Sequence, residues 1–229
     1  MSEKVAVCVI SGGMDSALSA SIAKLDGYKI IAVHFNYKQR TEKKELESFR
    51  KIIKDLEVTK DYEIDLNFFE QIGASALTDN SIEVPTNGLE DGVPVTYVPF
   101  RNGIFLSIAS AIAEKHNATA LYIGVVEEDS SGYPDCRSSY ISSMQNAINL
   151  GTKDETNIEI KMPLVNMKKS EIVSKSILLS VPLEHTWSCY QSEDEACGIC
   201  DSCRLRLNGF KMANKIDPIK YKNDINVTC

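Results

Sequence analysis

The residues best suited to chemistry lie near the start of the sequence, where Ser11 to Ser16 read SGGMDS. Gly12 and Gly13 lack a Cβ atom, so their backbone takes unusual angles and their amide N–H groups can approach an anion closely. Ser11 and Ser16 add hydroxyl donors, and the N-terminus of the helix expected next adds a favourable dipole. The string predicts a phosphate-binding loop formed by Ile10, Ser11, Gly12, Gly13, Met14, Asp15, Ser16 and Ala17.

An ordinary strand-to-helix turn with a serine cap is the alternative to a phosphate loop. The string is neither the Walker A pattern G-x-x-x-x-G-K-[ST] nor the dinucleotide fingerprint G-x-G-x-x-G. Asp15 is an anion beside the expected phosphates, which a bound Mg²⁺ or a helix-capping role would explain. Lys169 opens another expected helix, where a lysine is usually solvated but could reach the phosphates.

Four of the seven cysteines are close together near the C-terminus, and their spacing is typical of a metal site. Cys197, Cys200 and Cys203 lie in CGICDSC, and Cys189 lies eight residues before the first of them. Two overlapping C-x-x-C turns bring three thiolates to one point, and the fourth completes the tetrahedron that zinc prefers. Thiolates suit a borderline metal and exclude Mg²⁺ from this cluster.

Free cysteines in a loop, an iron–sulfur cluster and a redox C-x-x-C pair are the alternatives to zinc. A redox pair would not require four cysteines. Four thiolates fill the coordination sphere of zinc, so no position remains for catalysis. We therefore expect a structural zinc that fixes the C-terminal segment, with Arg204 and Arg206 on a short helix after it.

Three further segments are unusually polar for their positions next to expected strands and helices. They are NYKQR at 36–40, VPFRNG at 98–103 and EEDSSGYPDCR at 127–137. Taken alone, each segment is also what an ordinary polar loop would carry. The candidate substrate-binding residues in them are Arg40, Arg101, Asn102, Tyr133, Asp135 and Arg137.

The side chains of these candidates suggest a substrate with both a carboxylate and a base. Arg101 offers a planar fork for a carboxylate or phosphate, and Arg137 could pair with a carboxylate. Tyr133 could stack on a base, and Asp135 could accept hydrogen bonds from a guanine-like N–H edge. For Asn102 the commoner role is a helix cap.

Apolar periodicity predicts strands that alternate with helices along the chain. The expected strands are 4–10, 29–36, 60–66, 119–125 and 158–161. The expected helices are 15–26, 41–57, 101–116, 137–150 and 168–179, of which 41–57 is charged and read as solvent-facing. This order predicts an α/β protein with a parallel sheet and helices on both faces. Ligands in such sheets bind at the carboxyl ends of the strands, near the topological switch point.

The segment 70–96 has scattered Gly, Pro, Asn and Asp and little periodicity, so we expect a long loop or flap over a site. We expect the chain to divide into a nucleotide-binding domain, 1–180, and a zinc-binding C-terminal segment packed on it, 181–229.

Composition and charge argue against two classes of partner, long nucleic acid and membranes. The formal net charge is −7, and no block of lysine or arginine forms a phosphate-binding stripe, which argues against long nucleic acid as a partner. No apolar run reaches the ~18 residues that a membrane helix needs, so no membrane is expected as a partner. The N-terminus lacks a signal-peptide cleavage pattern, and a cytoplasmic location is expected.

Taken together, the motifs resemble one family. SGGMDS is similar to the signature loop of the ATP pyrophosphatases, or PP-loop enzymes, whose fold is the Rossmann-like adenine nucleotide alpha hydrolase type. NYKQR, VPFRNGIFLS, GYPDCR, TWSCY and CGICDSCRLRLNGF then resemble the 7-cyano-7-deazaguanine synthases (QueC-like enzymes) of queuosine precursor synthesis, over nearly the whole chain. Lys38 and Thr41 stand where that family often has Gly and His.

The resemblance implies an ATP-dependent carbon–nitrogen ligase with 7-carboxy-7-deazaguanine, ammonia and ATP as substrates. Adenylation of the carboxylate, attack by ammonia and a second activation by ATP would give the nitrile. Mg²⁺ and Zn²⁺ are the implied metals, and a homodimer is implied as the assembly. The residues assigned to catalysis are Asp15, Ser16, Lys169 and Arg101.

Three other functions compete with this one. A PP-loop enzyme that thiolates or amidates tRNA would bind nucleic acid, which the acidic net charge opposes. A relative could attach a deazaguanine to a protein by the same chemistry. A zinc-ribbon interaction module on a degenerate nucleotide fold is not an enzyme, and the intact SGGMDS string opposes it.

Overall fold

The computed structural model describes residues 4–86, 88, 92–127 and 132–222. Within them lies one five-stranded sheet, in which every neighbouring pair of strands is parallel. The strands are β1 (Val5–Val9), β2 (Lys29–Asn36), β3 (Lys60–Asp65), β4 (Ala120–Tyr122) and β5 (Glu159–Lys161). The helices are α1 (Met14–Leu25), α2 (Glu42–Asp55), α3 (Phe69–Ile72), α4 (Arg101–Lys115), α5 (Ser138–Gly151), α6 (Lys169–Leu178) and α7 (Asp201–Met212).

Two apolar layers sandwich the sheet because successive side chains of a strand point to opposite faces. In β1, Val7 and Val9 pack in the layer that contains α4 and α5. Ala6 and Cys8, which alternate with them, pack in the layer that contains α1, α2, α6 and α7. The predicted fold class, a parallel sheet covered by helices on both faces, is confirmed.

The strand order β3-β2-β1-β4-β5 places the topological switch point between β1 and β4. β1 continues into Ser11–Ser16, and β4 continues into residues 123–127, so both segments leave the same edge of the sheet. A crevice for a ligand is expected at that edge. The predicted phosphate loop therefore lies where an α/β sheet normally binds its ligand.

The observed strands and helices differ from expectation mainly at β4, which ends at Tyr122 rather than at 125. Gly124 explains the early end, because a Cβ atom there would lie 2.8 Å from the backbone of Asp15 and Ser16. The chain leaves the strand to let the first turn of α1 pack against it. α7 has 12 residues and is longer than the short helix expected after the cysteines.

The predicted long loop, 70–96, begins on the last residues of α3 and contains no further helix or strand in its described part. It is not a free flap, since Arg40 donates from Nε to Ala76 O (2.6 Å) and from Nη2 to Asp79 O (3.1 Å) and Ile82 O (2.6 Å). Residues 87, 89–91 and 128–131 of the predicted loops lie outside the described residues. In the part of the chain that is described, no helix has the length and apolarity to cross a membrane.

Lys38 has a left-handed backbone with φ 64°, which explains why glycine is common at its position in the resembled family. A non-glycine residue there costs about 1–2 kcal/mol, and glycine costs about 0.5–1 kcal/mol through the unfolded chain. We expect Lys38→Gly to raise the free energy of unfolding by about 0.5–1 kcal/mol. For a chain of this size, each kcal/mol corresponds to a rise of about 2–4 °C in Tm. Thermal denaturation measures this.

Lys43→Gly is the matched control, because Lys43 is exposed on α2 and helical. Glycine there should lower the stability by about 1 kcal/mol. Equal destabilisation by both changes would contradict the strain at Lys38.

Candidate active site and metal centre

Hydrogen bonds of two serines hold the predicted phosphate loop together at the start of α1. The Ser11 N–H donates to Ser16 Oγ (3.1 Å), the Gly13 N–H donates to Ser11 Oγ (3.3 Å), and Ser16 Oγ donates to Gly13 O (2.9 Å). Gly13 is the N-cap residue of α1, so the amides of the first helical turn have no acceptors within the helix. The loop borders a cavity of about 270 Å³.

The predicted loop residues do not all face the cavity in the same way. Ile10 and Ala17 are fully buried in the core beneath the loop, and Met14 is 3% exposed. Gly12 has φ 92°, and a Cβ atom on it would lie 2.4 Å from Glu45 O. Glycine is therefore required at position 12 both by its backbone angle and by the close approach of α2.

Lys169 and Asp15 form an ion pair at the edge of the cavity. Lys169 Nζ lies 2.8 Å from Asp15 Oδ2 and 3.0 Å from Oδ1, although the residues are 154 positions apart. Gly209 of α7 makes room for the lysine, because a Cβ atom there would lie 2.5 Å from Lys169 Cγ. The structure thus brings a cation to the phosphate loop, and it pairs the aspartate whose charge opposed phosphate binding.

Arg101 is a partly buried cation without a carboxylate partner among the described residues. Its Nη1 donates to Tyr37 Oη (3.1 Å), the guanidinium lies 5.4 Å from the centre of the Tyr37 ring, and its buried Nε has no partner in the described structure. Burying a guanidinium with an unused donor is costly unless an anion binds it. Because Arg101 borders the cavity, an anionic substrate group fits there.

Asn102 and Asp135 connect α4 to the segment 132–137. Asp135 Oδ2 accepts a hydrogen bond from the Asn102 N–H (2.9 Å), and Asn102 Nδ2 donates to Asp135 O (3.3 Å). The aspartate thereby caps α4, while the N-cap position itself is Phe100 rather than Asn102. Burial raises the pKa of the Asp135 carboxyl, and the Asn102 amide opposes that rise.

The remaining substrate candidates separate into two groups. Tyr133 borders the cavity and donates from its hydroxyl to Thr96 Oγ1 (2.8 Å). Arg40 also borders the cavity, but its donors are used by carbonyls of the segment 74–86. Arg137 is exposed and is absent from the described cavity wall.

Glu45 is a cavity residue that the sequence interpretation missed, because it lies in the helix read as solvent-facing. Its carboxylate accepts from Thr41 Oγ1 (2.7 Å) and from Gln39 Nε2 (3.1 Å). Burial raises the pKa of Glu45 to about 7, although the hydrogen bonds from Thr41 and Gln39 lower it. The one signal in the sequence was its position a turn after NYKQR.

The four predicted metal ligands meet at one point. The Sγ atoms of Cys189, Cys197, Cys200 and Cys203 all lie within 4.8 Å of one another, and all four residues are buried. Hydrogen bonds from the Cys200 and Cys203 thiols, assisted by backbone amides, lower the pKa of Cys189. Four sulfur donors in this arrangement form a site that can hold a metal ion.

The cysteine cluster is connected directly to the phosphate loop. The Trp187 N–H, two residues before Cys189, donates to Gly12 O (2.9 Å), and the Trp187 indole donates to Ser192 O (3.0 Å). Trp187, Ser188 and Tyr190 all border the cavity. Their position beside a cysteine ligand was the available signal, and sequence reasoning did not use it.

Comparison with known proteins identifies the family. The sequence model described as "Queuosine biosynthesis protein QueC" matches residues 5–214 of this chain. The chain belongs to the QueC family. This QueC family member is 75% identical over 219 residues to the 7-cyano-7-deazaguanine synthase of Sulfurovum sp. (strain NBC37-1), covering 96% of this chain and 99% of the relative. It is 66% identical over 222 residues to that of Aliarcobacter butzleri (strain RM4018), covering 97% of each.

Solved structures support the fold of this QueC family member. A 4-thiouridine synthetase, solved in complex with RNA and bound ATP, superimposes with a TM-score of 0.52 at 22% identity. The superposition covers 78% of this chain and 41% of the synthetase. The likeness confirms the adenine nucleotide alpha hydrolase type of fold.

Proposed function

We propose that this chain converts 7-carboxy-7-deazaguanine, ammonia and ATP into 7-cyano-7-deazaguanine. One observation carries the proposal: a phosphate loop with a paired lysine borders the same cavity as Arg101, a partly buried cation whose buried Nε has no partner in the described structure. The first suits the triphosphate of ATP, and the second suits the carboxylate of the acid. The name of the relatives at 75% and 66% identity, 7-cyano-7-deazaguanine synthase, supports the same product.

In the first step the acid would be activated as its adenylate. The carboxylate oxygen attacks the α-phosphorus of ATP, and pyrophosphate leaves with the electrons of the broken P–O bond. Amides of the loop and Lys169 would stabilise the charge that moves to the pyrophosphate. Ser16 would hold the loop closed through its bond to Gly13 O (2.9 Å), and Arg101 would orient the acid.

In the later steps the acyl carbon would pass through the amide to the nitrile. Ammonia attacks the acyl carbon, and AMP leaves to give the amide. The amide oxygen then attacks the α-phosphorus of a second ATP, and pyrophosphate leaves. The nitrogen gives up both of its protons, and AMP leaves with the electron pair of the C–O bond to give the nitrile. No covalent enzyme intermediate is needed, so the chain acts by positioning and charge stabilisation.

Among the substrate candidates, we assign direct contact to Arg101 and Tyr133, which border the cavity. Asn102 and Asp135 would act by holding the start of the helix that carries Arg101. Arg40 would hold the segment 74–86 as part of the cavity wall. A substrate contact by Arg137 would require the exposed side chain to move.

We assign Zn²⁺ to the four cysteines and Mg²⁺ to the side of the triphosphate. The sulfur donor set fits zinc and leaves no open position, so the zinc would have a structural role. Oxygen donors fit Mg²⁺, and Asp15 would hold it together with phosphate oxygens. We also propose a cytoplasmic location, because a reducing compartment keeps cysteine thiols free to bind a metal. The homodimer stays a prediction of the family resemblance.

The test of this function is an incubation of the chain with 7-carboxy-7-deazaguanine, ammonium and Mg·ATP, read by mass spectrometry. We expect the nitrile and AMP, with the amide as an intermediate. If a preparation with its metal confirmed gave no nitrile from the free base, the proposed reaction would be wrong. Modification of tRNA or of a protein under the same conditions would support the competing functions.

A further inference from the structure

Glu45 presents a carboxylate to the cavity that the phosphate loop and Arg101 also border. A charged carboxylate there would repel both ATP and the acid substrate. Two other acidic residues border the cavity among the described residues: Asp15, which pairs with Lys169 at 2.8 Å, and Asp201, which is 7% exposed at the start of α7. In the described part of the chain, no lysine, arginine or histidine forms an ion pair with Glu45. A carboxylate in this position requires a cation or a proton.

The carboxylate is held in place by neutral donors. Thr41 Oγ1 donates to Oε1 at 2.7 Å, and Gln39 Nε2 donates to Oε2 at 3.1 Å. Gln39 is itself fixed, because its Oε1 accepts the Tyr37 N–H at 2.9 Å. The turn of α2 that carries Glu45 touches the phosphate loop at Gly12. Each carboxylate oxygen keeps a lone pair for a further donor beside the reacting phosphate.

The charged and titratable groups that face Glu45 come from three elements. Arg101 of α4 lowers the pKa of Glu45, and Glu42, which lies on α2 like Glu45, raises it. Glu45 in turn raises the pKa of Tyr37, which follows β2. Burial is the largest influence and brings the pKa of Glu45 to about 7. A group with this pKa can both accept and release a proton near neutral pH.

We propose that Glu45 forms the ammonium site of this enzyme and takes the proton that converts ammonium into the nucleophile ammonia. The inference rests on the proposed function, which requires ammonia at an acyl adenylate. Ammonium is the prevailing form at neutral pH and has no lone pair, so it cannot attack carbon. It is also the one cation among the three proposed substrates, which suits the unpaired carboxylate.

Ammonium gives one proton to the Glu45 carboxylate, which leaves neutral ammonia and a neutral carboxyl group. The nitrogen lone pair forms the C–N bond to the acyl carbon, and AMP leaves with the electron pair of the C–O bond. The extra proton on nitrogen passes to solvent, and the Glu45 carboxyl releases its proton to solvent before the next ammonium binds.

Glu45→Gln tests the proposal, because it keeps the side-chain volume and removes the proton acceptor. Acid-dependent ATP–pyrophosphate exchange needs no ammonia, and we expect it to stay within about twofold of wild type. The kcat/KM for ammonium in amide formation should fall on the order of 100-fold, the usual contribution of a general base. Equal losses in exchange and in amide formation would overturn the proposal, since Glu45 would then serve the loop or Mg²⁺.

The pH profile gives a second readout that a structural role would not move. In wild type, kcat/KM for total ammonium should rise through pH 7, where Glu45 loses its proton. In Glu45→Gln that limb should be absent, and the rate should rise steadily with the fraction of free ammonia. Alkaline solution should therefore bring the variant close to wild type. A constant ratio of the two rates at all pH values would also overturn the proposal.

Glu47→Gln is the matched control, because Glu47 lies on the same helix, is 49% exposed and pairs with Lys44 and Lys51 away from the cavity. It removes the same charge and should leave the ammonium dependence unchanged. A loss of ammonium use in this control as well would assign the effect to net charge and contradict a site at Glu45. If wild type shows no acid-dependent exchange at all, the proposed function fails, whatever Glu45 does.

Discussion

Cys200→Ser is expected to lose the bound metal and to lower nitrile formation on the order of 100-fold or more. Cys200 is fully buried in the four-cysteine cluster, and a serine hydroxyl is a poor ligand for a thiolate-preferring metal. Structural zinc contributes about 10–16 kcal/mol of apparent binding energy in small zinc domains, so the segment around the cluster should loosen. Metal analysis and the nitrile assay measure the two effects.

The loss of activity follows from the position of Trp187 rather than from chemistry at the metal. Trp187 donates to Gly12 O at 2.9 Å and borders the cavity, two residues before a cysteine ligand. A displacement of about 1 Å at a reacting site can cost about 100-fold in rate. Misplacement of the loop and of the cavity wall therefore accounts for the expected loss.

Cys8→Ala is the control for Cys200→Ser. Cys8 is buried in β1, outside the cluster, so its replacement should leave the metal content unchanged. A Cys200→Ser protein that lacks the metal but retains full activity would show that the cavity does not depend on the cluster.

Lys169→Ala is expected to lower the rate of acid-dependent ATP–pyrophosphate exchange on the order of 100-fold. Removal of one well-placed donor to a transition-state charge costs about 3 kcal/mol. The alanine also leaves Asp15 without the cation that lies 2.8 Å away, beside the proposed site of the ATP phosphates. Both effects weaken the same step, so the loss should appear in kcat as well as in the KM for ATP.

Lys168→Ala provides the control for Lys169→Ala. Lys168 is exposed and holds the start of α6 by its main-chain N–H, which donates to Glu171 Oε2 at 2.8 Å and is retained in alanine. The ATP–pyrophosphate exchange rate of Lys168→Ala should match that of wild type. An exchange rate in Lys169→Ala within about twofold of wild type would exclude a phosphate role for this lysine.

The sequence predicted the features that depend on local pattern. Strand β2 was expected at 29–36 and lies at Lys29–Asn36, because a run of buried apolar residues is distinctive in a parallel sheet. The cysteine spacing likewise predicted a cluster that the structure confirms. Each pattern depends only on residues that are close together in the sequence, so the sequence alone is enough to predict it.

The features that were missed depend on contacts between distant residues. Glu45 looked solvent-facing because α2 is rich in charge, and only its packing against Gly12 brings it to the cavity. The sequence likewise did not reveal that Asp135 caps α4 by accepting the Asn102 N–H, 33 residues away; its role in binding the base stays a prediction. A residue type and its spacing do not reveal which distant backbone group will satisfy a side chain.

The bond from Trp187 to Gly12 has a thermodynamic consequence for how the protein retains its metal. If an occupied cysteine cluster favours the loop conformation that binds nucleotide, then nucleotide must favour the occupied cluster by the same factor. Chelators should therefore extract the metal more slowly, and to a lesser extent, from protein saturated with ATP than from the free chain. An enzyme at work would hold a metal in the cysteine cluster more firmly than one at rest.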